Sequence, residues 1–227
     1  MKIVILSGAG VSAESGLGTF RDEDGLWSQY DLAEVATPEG FAEDPAKVHA
    51  FYAERRANAA AAMPNAAHLA LAELQDGFPG DVVIITQNVD ALHEAAGADA
   101  LHMHGQLDRA RCAACEHRMP VPEGMDETTP CPACTEHSLR PDIVWFGEIP
   151  EQMDDIAAHL NDADLFVAIG TSGQVYPAAG FVTEAAQNGA ETLCLNLEPS
   201  DISALFDDVR LGPASEIVPA WVAEMLE

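Results

Sequence analysis

The stretch that decides the fold class is Lys2-Ile3-Val4-Ile5-Leu6, which runs at once into Ser7-Gly8-Ala9-Gly10-Val11-Ser12. A short apolar, β-branched run that ends in a glycine-rich turn is typical of a buried strand followed by a helix in a parallel α/β sheet. The turn and the N-terminus of such a helix can hold the phosphates of a dinucleotide. Taken alone, Gly8-Ala9-Gly10 is equally compatible with a tight strand-to-helix turn. The third glycine of the hydride-transfer fingerprint falls at Ala13, which argues against an ordinary dehydrogenase.

Strand and helix signals alternate along the rest of the chain. Further apolar strands are predicted at Val82–Thr86, Leu165–Ile169 and Thr192–Leu197. Asp44-Pro45 gives an N-cap and a proline at the first position of a helix to about Ala62, and Asn65 opens a helix through Leu74. Residues 216–226 form a closing amphipathic helix. This alternation predicts an α/β fold with a Rossmann-like, doubly wound parallel sheet and a ligand at the carboxyl ends of its strands.

The composition is strongly acidic. The 227 residues include 38 Asp and Glu against 10 Lys and Arg, a formal net charge of −28, and the acids are spread along the whole chain. We expect a protein from a halophile with a high-salt cytoplasm, and an ordinary acidic mesophilic protein is the alternative. Without a secretory signal or a run of about 18 apolar residues, we expect a cytoplasmic protein with no membrane partner. We also expect a monomer. The charge also disfavours binding to nucleic acid.

Four cysteines lie in a segment, from about Arg109 to Arg140, that lacks long apolar periodicity. Cys112-x-x-Cys115 and Cys131-x-x-Cys134, fifteen residues apart, have the spacing of a tetrahedral zinc site. A complete shell of four thiolates leaves no place for a substrate, so we expect one structural Zn²⁺. A pair of disulfides is the weaker alternative in an intracellular protein. The acidic flanks argue against a zinc-ribbon nucleic-acid module, and Cys194, in an apolar strand, is expected to be a core residue.

A series of motifs then resembles the sirtuins, the NAD-dependent protein lysine deacylases. The resemblance extends over nearly the whole chain, and the motifs occur in the order of that family. They are Gly8-Ala9-Gly10-Val11-Ser12-Ala13-Glu14-Ser15-Gly16-Leu17-Gly18-Thr19-Phe20-Arg21, Thr86-Gln87-Asn88-Val89-Asp90-Ala91-Leu92-His93, Leu101-His102-Met103-His104-Gly105, Arg140-Pro141-Asp142-Ile143-Val144-Trp145-Phe146-Gly147-Glu148, Gly170-Thr171-Ser172 and Asn196-Leu197-Glu198. Gly18 and Asp142 depart from residues that many relatives carry.

The resemblance implies a Rossmann-type NAD-binding domain (1–103 and 141–227) with a small zinc module (104–140), to which helices around 37–62 contribute. NAD is then a co-substrate: nicotinamide leaves and the acyl group of an acylated lysine passes to ADP-ribose. Within this scheme the amides around Ala9 and Gly10 hold pyrophosphate, Arg21 pairs with the cofactor and Phe20 covers the ribose. The implied cofactor-binding residues are Gly8, Ala9, Gly10, Glu14, Ser15, Thr19, Phe20, Arg21, Trp27, Gln87, Asn88, Asp90, Gly170, Thr171, Ser172, Asn196, Leu197, Glu198 and Ala214.

The resemblance also implies the groups that act on the substrate. His104 is the general base, chosen over His102 because it directly precedes glycine, and its ordinary pKa near 6.5 suits that task. The segment Val144-Trp145-Phe146-Gly147 offers a backbone edge to the peptide. Tyr52 and Arg55, three residues apart on one helix face, resemble the branch that accepts succinyl and related acyl groups, where a guanidinium can pair with the distal carboxylate. The neighbouring Arg56 is expected at the surface.

Two questions stay open at the level of sequence. If Arg55 is solvated and Tyr52 is half-buried, the pair has no role in acyl recognition and the expected activity is deacetylation. A role in binding an acyl carboxylate would not exclude deacetylation either. Protein mono-ADP-ribosyltransfer is the alternative activity, because it also cleaves the bond between nicotinamide and ribose.

Overall fold

The strands and helices alternate as the sequence predicts. The computed structural model describes residues 1–18 and 30–227. In this part of the chain the strands are β1 (Lys2–Ser7), β2 (Asp81–Thr86), β3 (Ala100–His102), β4 (Gly105–Cys112), β5 (Arg118–Pro120), β6 (Leu139–Ile143), β7 (Leu165–Ile169), β8 (Glu191–Asn196) and β9 (Asp208–Leu211). The helices are α1 (Ala9–Ala13), α2 (Leu32–Val35), α3 (Pro38–Glu43), α4 (Pro45–Ala61), α5 (Ala66–Gly77), α6 (Leu92–Ala95), α7 (Met153–Asn161), α8 (Phe181–Gln187) and α9 (Ala214–Leu226).

The central sheet is parallel and doubly wound. Its six strands have the order β3-β2-β1-β7-β8-β9, and all pairs are parallel. The chain builds outward from β1 through β2 and β3, then returns to the other side of β1 with β7. This reversal places a crevice at the carboxyl ends of β1 and β7, where ligands bind in such sheets. The Rossmann-like prediction is confirmed.

Side chains of alternating direction along β1 build a core on each face of the sheet. Ile3 and Ile5 pack with α5 and α9, whereas Val4 and Leu6 pack with α7 and α8. All four are at most 2% exposed. Each such side chain contributes about 1.5–3 kcal/mol when it is fully buried. A strand that is apolar on both faces is the reason why the opening run is so continuous.

The predicted helix starts are confirmed at α4 and α5. The Asp44 side chain accepts a hydrogen bond from Lys47 N, and Pro45 occupies the first position of α4. Asn65 accepts from Ala67 N, and His68 Nδ1 accepts from Asn65 N, so α5 begins with a reciprocal capping box.

Helix α9 begins at Ala214, two residues before the predicted start. The carboxylate of Glu14 accepts hydrogen bonds from the amide N–H and the hydroxyl of Ser215. A carboxylate from a distant part of the chain therefore accepts from an N–H group in the first turn of α9. The local sequence does not reveal this contact.

A second, antiparallel sheet with the order β5-β4-β6 carries the cysteine segment. This segment lies outside the parallel sheet, as predicted, although the antiparallel strands extend from Gly105 to Ile143, beyond residue 140. The division into domains at residues 103/104 and 140/141 stays a prediction. Among the described helices, none has both the length and the apolar character needed to cross a membrane.

Candidate functional site

The glycine-rich turn after β1 packs directly against the turn after β7. Gly8 N donates to Ile169 O at 2.9 Å, and Gly10 N donates to Gly170 O at 2.8 Å. A Cβ on Gly10 would lie 2.7 Å from Gly170 Cα, and Gly170 itself has φ +61°. Only glycine permits this approach of two backbones. The Gly10 amide already donates within the fold, and its predicted contact with a pyrophosphate stays a prediction.

Gln87 joins three of the strand ends. Its N–H donates to Ser7 O at 2.9 Å after β1, and its Nε2 donates to Thr171 Oγ1 at 3.0 Å after β7. Asn196, at the end of β8, donates from Nδ2 to Thr171 O at 2.9 Å. Residues predicted to contact the two ends of NAD thus form one hydrogen-bonded edge of the sheet.

Asn88 and Asp90 are buried next to this edge. Asn88 Nδ2 donates to Gly8 O and to Ser12 Oγ, both at 3.1 Å, so the amide is held in one orientation. Asp90 is 8% exposed, and its Oδ1 accepts from Leu92 N. The hydrogen bonds of the described residues leave Asn88 Oδ1 and Asp90 Oδ2 for a ligand.

The other predicted cofactor residues differ in their surroundings. Leu197 and Glu198 are exposed, Ser172 is half-buried and Ala214 is buried at the start of α9. The side chains of Glu14 and Ser15 already have partners in the fold: Glu14 accepts from Ser215, and Ser15 Oγ accepts from Asn65 Nδ2 at 3.0 Å. The predicted residues Thr19, Phe20, Arg21 and Trp27 lie outside the described residues.

His104, between β3 and β4, has a hydrogen bond at one of its two ring nitrogens. Its Nδ1 lies 3.1 Å from Gln87 O. A carbonyl can only accept, so Nδ1 carries the proton, and Nε2, which has no hydrogen bond among the described residues, keeps its lone pair. Burial lowers the pKa of His104 below its ordinary value, although the Gln87 carbonyl opposes this. The ring is therefore neutral at neutral pH.

His102 has the opposite environment. Its Nδ1 lies 3.0 Å from Asn88 O and its Nε2 lies 2.9 Å from Glu94 Oε1. Burial lowers its pKa, but the hydrogen bond and charge of Glu94 outweigh burial and raise the pKa above the ordinary value. Both nitrogens of His102 are occupied, and the ring favours the protonated form. This environment makes it a poor general base.

Tyr52 and Arg55 lie together on α4. Tyr52 is 1% exposed, and its hydroxyl accepts a hydrogen bond from Trp145 Nε1 at 2.9 Å. The Tyr52 O–H proton therefore remains available for a further acceptor. Arg55 is half-buried, and its guanidinium lies 5.5 Å from the centre of the Tyr52 ring. Arg56, expected at the surface, is instead half-buried, with its Nη1 atom shielded from solvent.

The segment expected to bind peptide uses most of its own N–H groups. Val144 N donates to His104 O, Phe146 N donates to Ala36 O, and Trp145 N donates to Glu148 Oε2. The backbone edge left for a partner strand therefore consists of carbonyl groups and the N–H of Gly147. Phe146 is 49% exposed beside it.

An arginine–glutamate cluster fixes this segment, and sequence reasoning assigned it no role. Glu148 accepts from Arg111 at 2.6 Å and from Arg140 at 2.7 and 2.9 Å. The Arg140 guanidinium also stacks 3.3 Å from the centre of the Trp145 ring. Burial raises the pKa of Glu148, but the Arg140 hydrogen bonds outweigh burial and hold it below its ordinary value. The only sequence signal was the position of Arg140 and Glu148 at the two ends of one motif.

The four cysteines fit a zinc ion. All four Sγ atoms lie within 4.8 Å of one another, with Cys112 to Cys134 at 3.7 Å and Cys115 to Cys131 at 3.8 Å. Tetrahedral Zn–S bonds of about 2.3 Å place sulfur atoms about 3.8 Å apart, whereas a disulfide requires about 2.05 Å. The disulfide alternative is therefore wrong for this structure. Each Cys-x-x-Cys pair forms a knuckle, Cys112–Cys115 and Cys131–Cys134. Each knuckle is followed by a residue in the left-handed region, Glu116 at φ 59° and Thr135 at φ 66°.

The chain is similar to known proteins along its whole length. The Sir2 family profile matches residues 8–177. The NAD-dependent protein deacylase of Caulobacter vibrioides is 56% identical over 231 residues, which cover 100% of this chain and 97% of that relative. The NAD-dependent protein deacylase of Escherichia coli K12 is 48% identical over 230 residues, which cover 100% of this chain and 82% of that relative.

Solved structures agree in fold. The crystal structure of a Sir2 homologue in complex with NAD has a TM-score of 0.91 at 38% identity, covering 99% of this chain and 89% of that chain. A Sir2 structure bound to an acetylated peptide has a TM-score of 0.85 at 27% identity, covering 98% of this chain and 92% of that chain.

Proposed function

Because this chain belongs to the Sir2 family, we propose that it is an NAD-dependent protein deacylase that acts on acylated lysine side chains. NAD supplies the ADP-ribose acceptor and the nicotinamide leaving group. The chain supplies a crevice that holds NAD and the acyl-lysine together, a base and an edge for the peptide. Positioning of this kind can account for several kcal/mol of the barrier.

The observation that carries the proposal is the state of His104. Its Nδ1–H is fixed on the carbonyl of Gln87, a residue hydrogen-bonded to the ends of β1 and β7, and Nε2 is left as a neutral acceptor. Acyl transfer to a ribose hydroxyl needs a group that takes the hydroxyl proton near neutral pH. We assign this task to Nε2 of His104.

The strand ends provide the surroundings for NAD. We assign the pyrophosphate to the β1–α1 turn, with contact through the amides around Ala9 and Gly10. Asn88 Oδ1 and Asp90 Oδ2 suit the carboxamide of nicotinamide, since an amide needs polar partners in a buried site. Thr171 and Asn196, which are hydrogen-bonded to each other, suit the adenosine half.

Tyr52 and Arg55 support recognition of an acyl group that ends in a carboxylate. The Tyr52 oxygen is the acceptor in the bond with Trp145, so this bond leaves the O–H proton for a carboxylate, and guanidinium groups bind carboxylates in a bidentate manner. We propose that succinyl-lysine is a better substrate than acetyl-lysine. An acetyl group would fit the same channel without reaching Arg55.

The four thiolates would hold one structural Zn²⁺. The ion would tie the knuckle at Cys112–Cys115 to that at Cys131–Cys134. It would thereby order the antiparallel sheet, which has few apolar residues of its own. No step of the reaction passes through it.

The test of the activity is mass spectrometry of matched succinyl-lysine and acetyl-lysine peptides incubated with NAD. The wild type should remove acyl mass and release nicotinamide in equal amounts. His104→Ala should lower turnover by at least about 100-fold while it keeps its fold and zinc. ADP-ribose mass added to protein, without loss of acyl mass, would instead establish mono-ADP-ribosyltransfer.

The test of the acyl preference compares Arg55→Met with Lys47→Met, which removes the same charge from a half-buried position at the start of α4. Arg55→Met should lower kcat/KM for succinyl-lysine about tenfold or more and leave acetyl-lysine nearly unchanged. Lys47→Met should change neither. Equal loss on both peptides in Arg55→Met would refute the carboxylate role.

A further inference from the structure

A cavity of about 440 Å³ lies between β3, at the edge of the parallel sheet, and the antiparallel sheet. Its wall consists mainly of charged and polar side chains from β3, β4, β5 and β6 and from the segment before α7. The volume is in the range of sites for small organic ligands, roughly 300–1,000 Å³. None of the residues assigned above to NAD, to the acyl group, to the peptide or to proton transfer lines this cavity.

Asp142 is the unusual feature of the cavity wall. The residue is 3% exposed, and its Oδ1 is shielded from solvent without a hydrogen-bond partner. Its Oδ2 lies 3.6 Å from Arg118 Nε, which is longer than a hydrogen bond. Burial raises the pKa of the Asp142 carboxyl, and the Arg118 charge offsets burial only in part. A buried carboxylate without hydrogen bonds is costly, and a ligand that donates to it would remove that cost.

Arg118 does not supply these hydrogen bonds because its planar end is used elsewhere. Its Nη1 donates to Glu151 Oε2 at 2.7 Å, and its Nη2 donates to Glu151 Oε1. Only Nε is left on the side of Asp142. Two carboxylates therefore share one guanidinium, and the more deeply buried of the two keeps its acceptor positions.

The other charges of the wall restrict what the ligand can be. Glu94 pairs with His102 at 2.9 Å, and Asp99 is exposed. Arg109 also lines the cavity, and its charge acts on Asp142. With four carboxylates against two arginines, the wall favours a positive ligand, whereas the two arginines oppose one with several positive charges. Among the described residues, only the four cysteines bring together enough side chains to hold a metal ion, so the ligand indicated is organic.

We propose that this cavity binds a small molecule with a single guanidinium group, and that Asp142 accepts hydrogen bonds from it. A planar guanidinium offers two parallel N–H donors that match the two oxygens of a carboxylate. The site lies outside the acyl-lysine and NAD sites of the proposed deacylase and does not depend on that activity.

The test uses butylguanidinium as the probe and ligand-observed NMR as the measurement, on the full chain with zinc bound. About 0.5 M KCl in every sample screens the diffuse attraction of an acidic surface for cations. Butylguanidinium should bind the wild type saturably, and the neutral isostere butylurea should bind at least about tenfold more weakly. N-acetylarginine methylamide distinguishes the sources of the group: weaker binding than butylguanidinium indicates a free guanidine, and equal binding admits an arginine side chain.

Asp142→Asn removes the charge but keeps the shape of the side chain, and it should weaken butylguanidinium binding at least about tenfold. Asp99→Asn is the matched control, since it removes the same charge from an exposed position of the same wall. It should bind nearly as well as the wild type. Thermal melting of each variant checks that it is folded.

Arg118→Met tests the same site with an effect of opposite sign, and it keeps the proposal testable if Asp142→Asn does not fold. It frees both Asp142 and Glu151 from their shared partner. Butylguanidinium should therefore bind roughly threefold more tightly than to the wild type.

Four results would overturn the proposal. They are no saturable binding to the wild type, equal binding to the wild type and Asp142→Asn, equal loss in Asp99→Asn and Asp142→Asn, and unchanged or weaker binding in Arg118→Met. None of these results depends on turnover, so a failure here is distinct from a failure of the deacylase assignment.

Discussion

His104 and His102 stand two positions apart but differ in the partners of their ring nitrogens. Burial lowers the pKa of His104, whereas Glu94 raises the pKa of His102 despite burial. A general base works only in its neutral form, so activity is lost as pH falls through the pKa of the base. If His104 is the base, the midpoint of that loss in kcat/KM lies below pH 6.5.

The pH profile of kcat/KM on an acyl-lysine peptide checks this prediction. Glu94→Gln is the matched control, since it removes the charge that raises the pKa of His102 and leaves the Gln87 contact of His104 in place. The midpoint should be the same in both proteins. A midpoint above 6.5 that moves down in Glu94→Gln would make His102 the base instead.

Trp145 is expected to position Tyr52 rather than to contact the acyl group. Trp145→Phe removes the Nε1–H donor but keeps an aromatic ring beneath Arg140. A neutral hydrogen bond is worth about 0.5–1.5 kcal/mol. We therefore expect KM for succinyl-lysine to rise about twofold to tenfold, with acetyl-lysine little changed.

A double variant with Tyr52→Phe distinguishes a positioning role of Trp145 from a simple loss of core packing. In Tyr52→Phe the bond to Trp145 is already absent, so adding Trp145→Phe should have little further effect on KM for succinyl-lysine. Steady-state kinetics of the two single variants and the double variant give the coupling. Fully additive effects would show that Trp145 acts only through the core.

At the scale of elements, the cysteine knuckles should depend on metal for their stability. Cys131→Ser leaves three thiolates, and we expect it to lose its zinc and to melt at a lower temperature because metal binding contributes directly to folding. Cys194→Ser is the matched control: Cys194 is 1% exposed on β8, far from the knuckles in the chain. It should keep one zinc per chain.

Zinc content by atomic emission and melting curves with and without a chelator provide the measurements. If Cys131→Ser binds zinc as fully as the wild type, the four-thiolate site is wrong. If it loses zinc and melts unchanged, the ion is not structural.

The elements that the sequence predicted best are those with the most burial. The predicted strands at β1, β2, β7 and β8 are confirmed because they are continuous apolar runs in a sheet covered on both faces. Strand β3, with three residues, and strand β9 lie at the two edges of the sheet, where pairing rather than hydrophobicity defines them. Such short edge strands leave little signal in a single sequence.

The candidate site was predictable only where local geometry constrains the chain. His104 is followed by Gly105, which has φ +81° and leaves no room for a Cβ against Asp142 O. Backbone geometry therefore requires the glycine that follows His104. The contacts of Glu148 with Arg111 and of Trp145 with Tyr52 join residues 37 and 93 positions apart. Contacts of that range come from tertiary folding and leave no local pattern.

At the scale of the whole molecule, charge opposes compactness. With 38 acidic and 10 basic residues, even complete pairing would leave most carboxylates without a cation. Crowded like charges destabilise the folded state through self-repulsion. Exposed ion pairs such as Arg210 with Glu224 contribute little against this.

Salt should therefore stabilise the folded protein. The Debye length falls from about 10 Å at 0.1 M to about 3 Å at 1 M, which screens exposed carboxylates from one another. We expect the melting temperature to rise by at least about 5 °C between 0.1 and 2 M KCl, equivalent to roughly 1–2 kcal/mol for a domain of this size. Differential scanning calorimetry provides the measurement. Sucrose at matched osmolality is the control because it stabilises by exclusion without screening charge. A flat response to KCl, or an equal rise in sucrose, would remove the charge argument and with it the prediction of a halophilic origin.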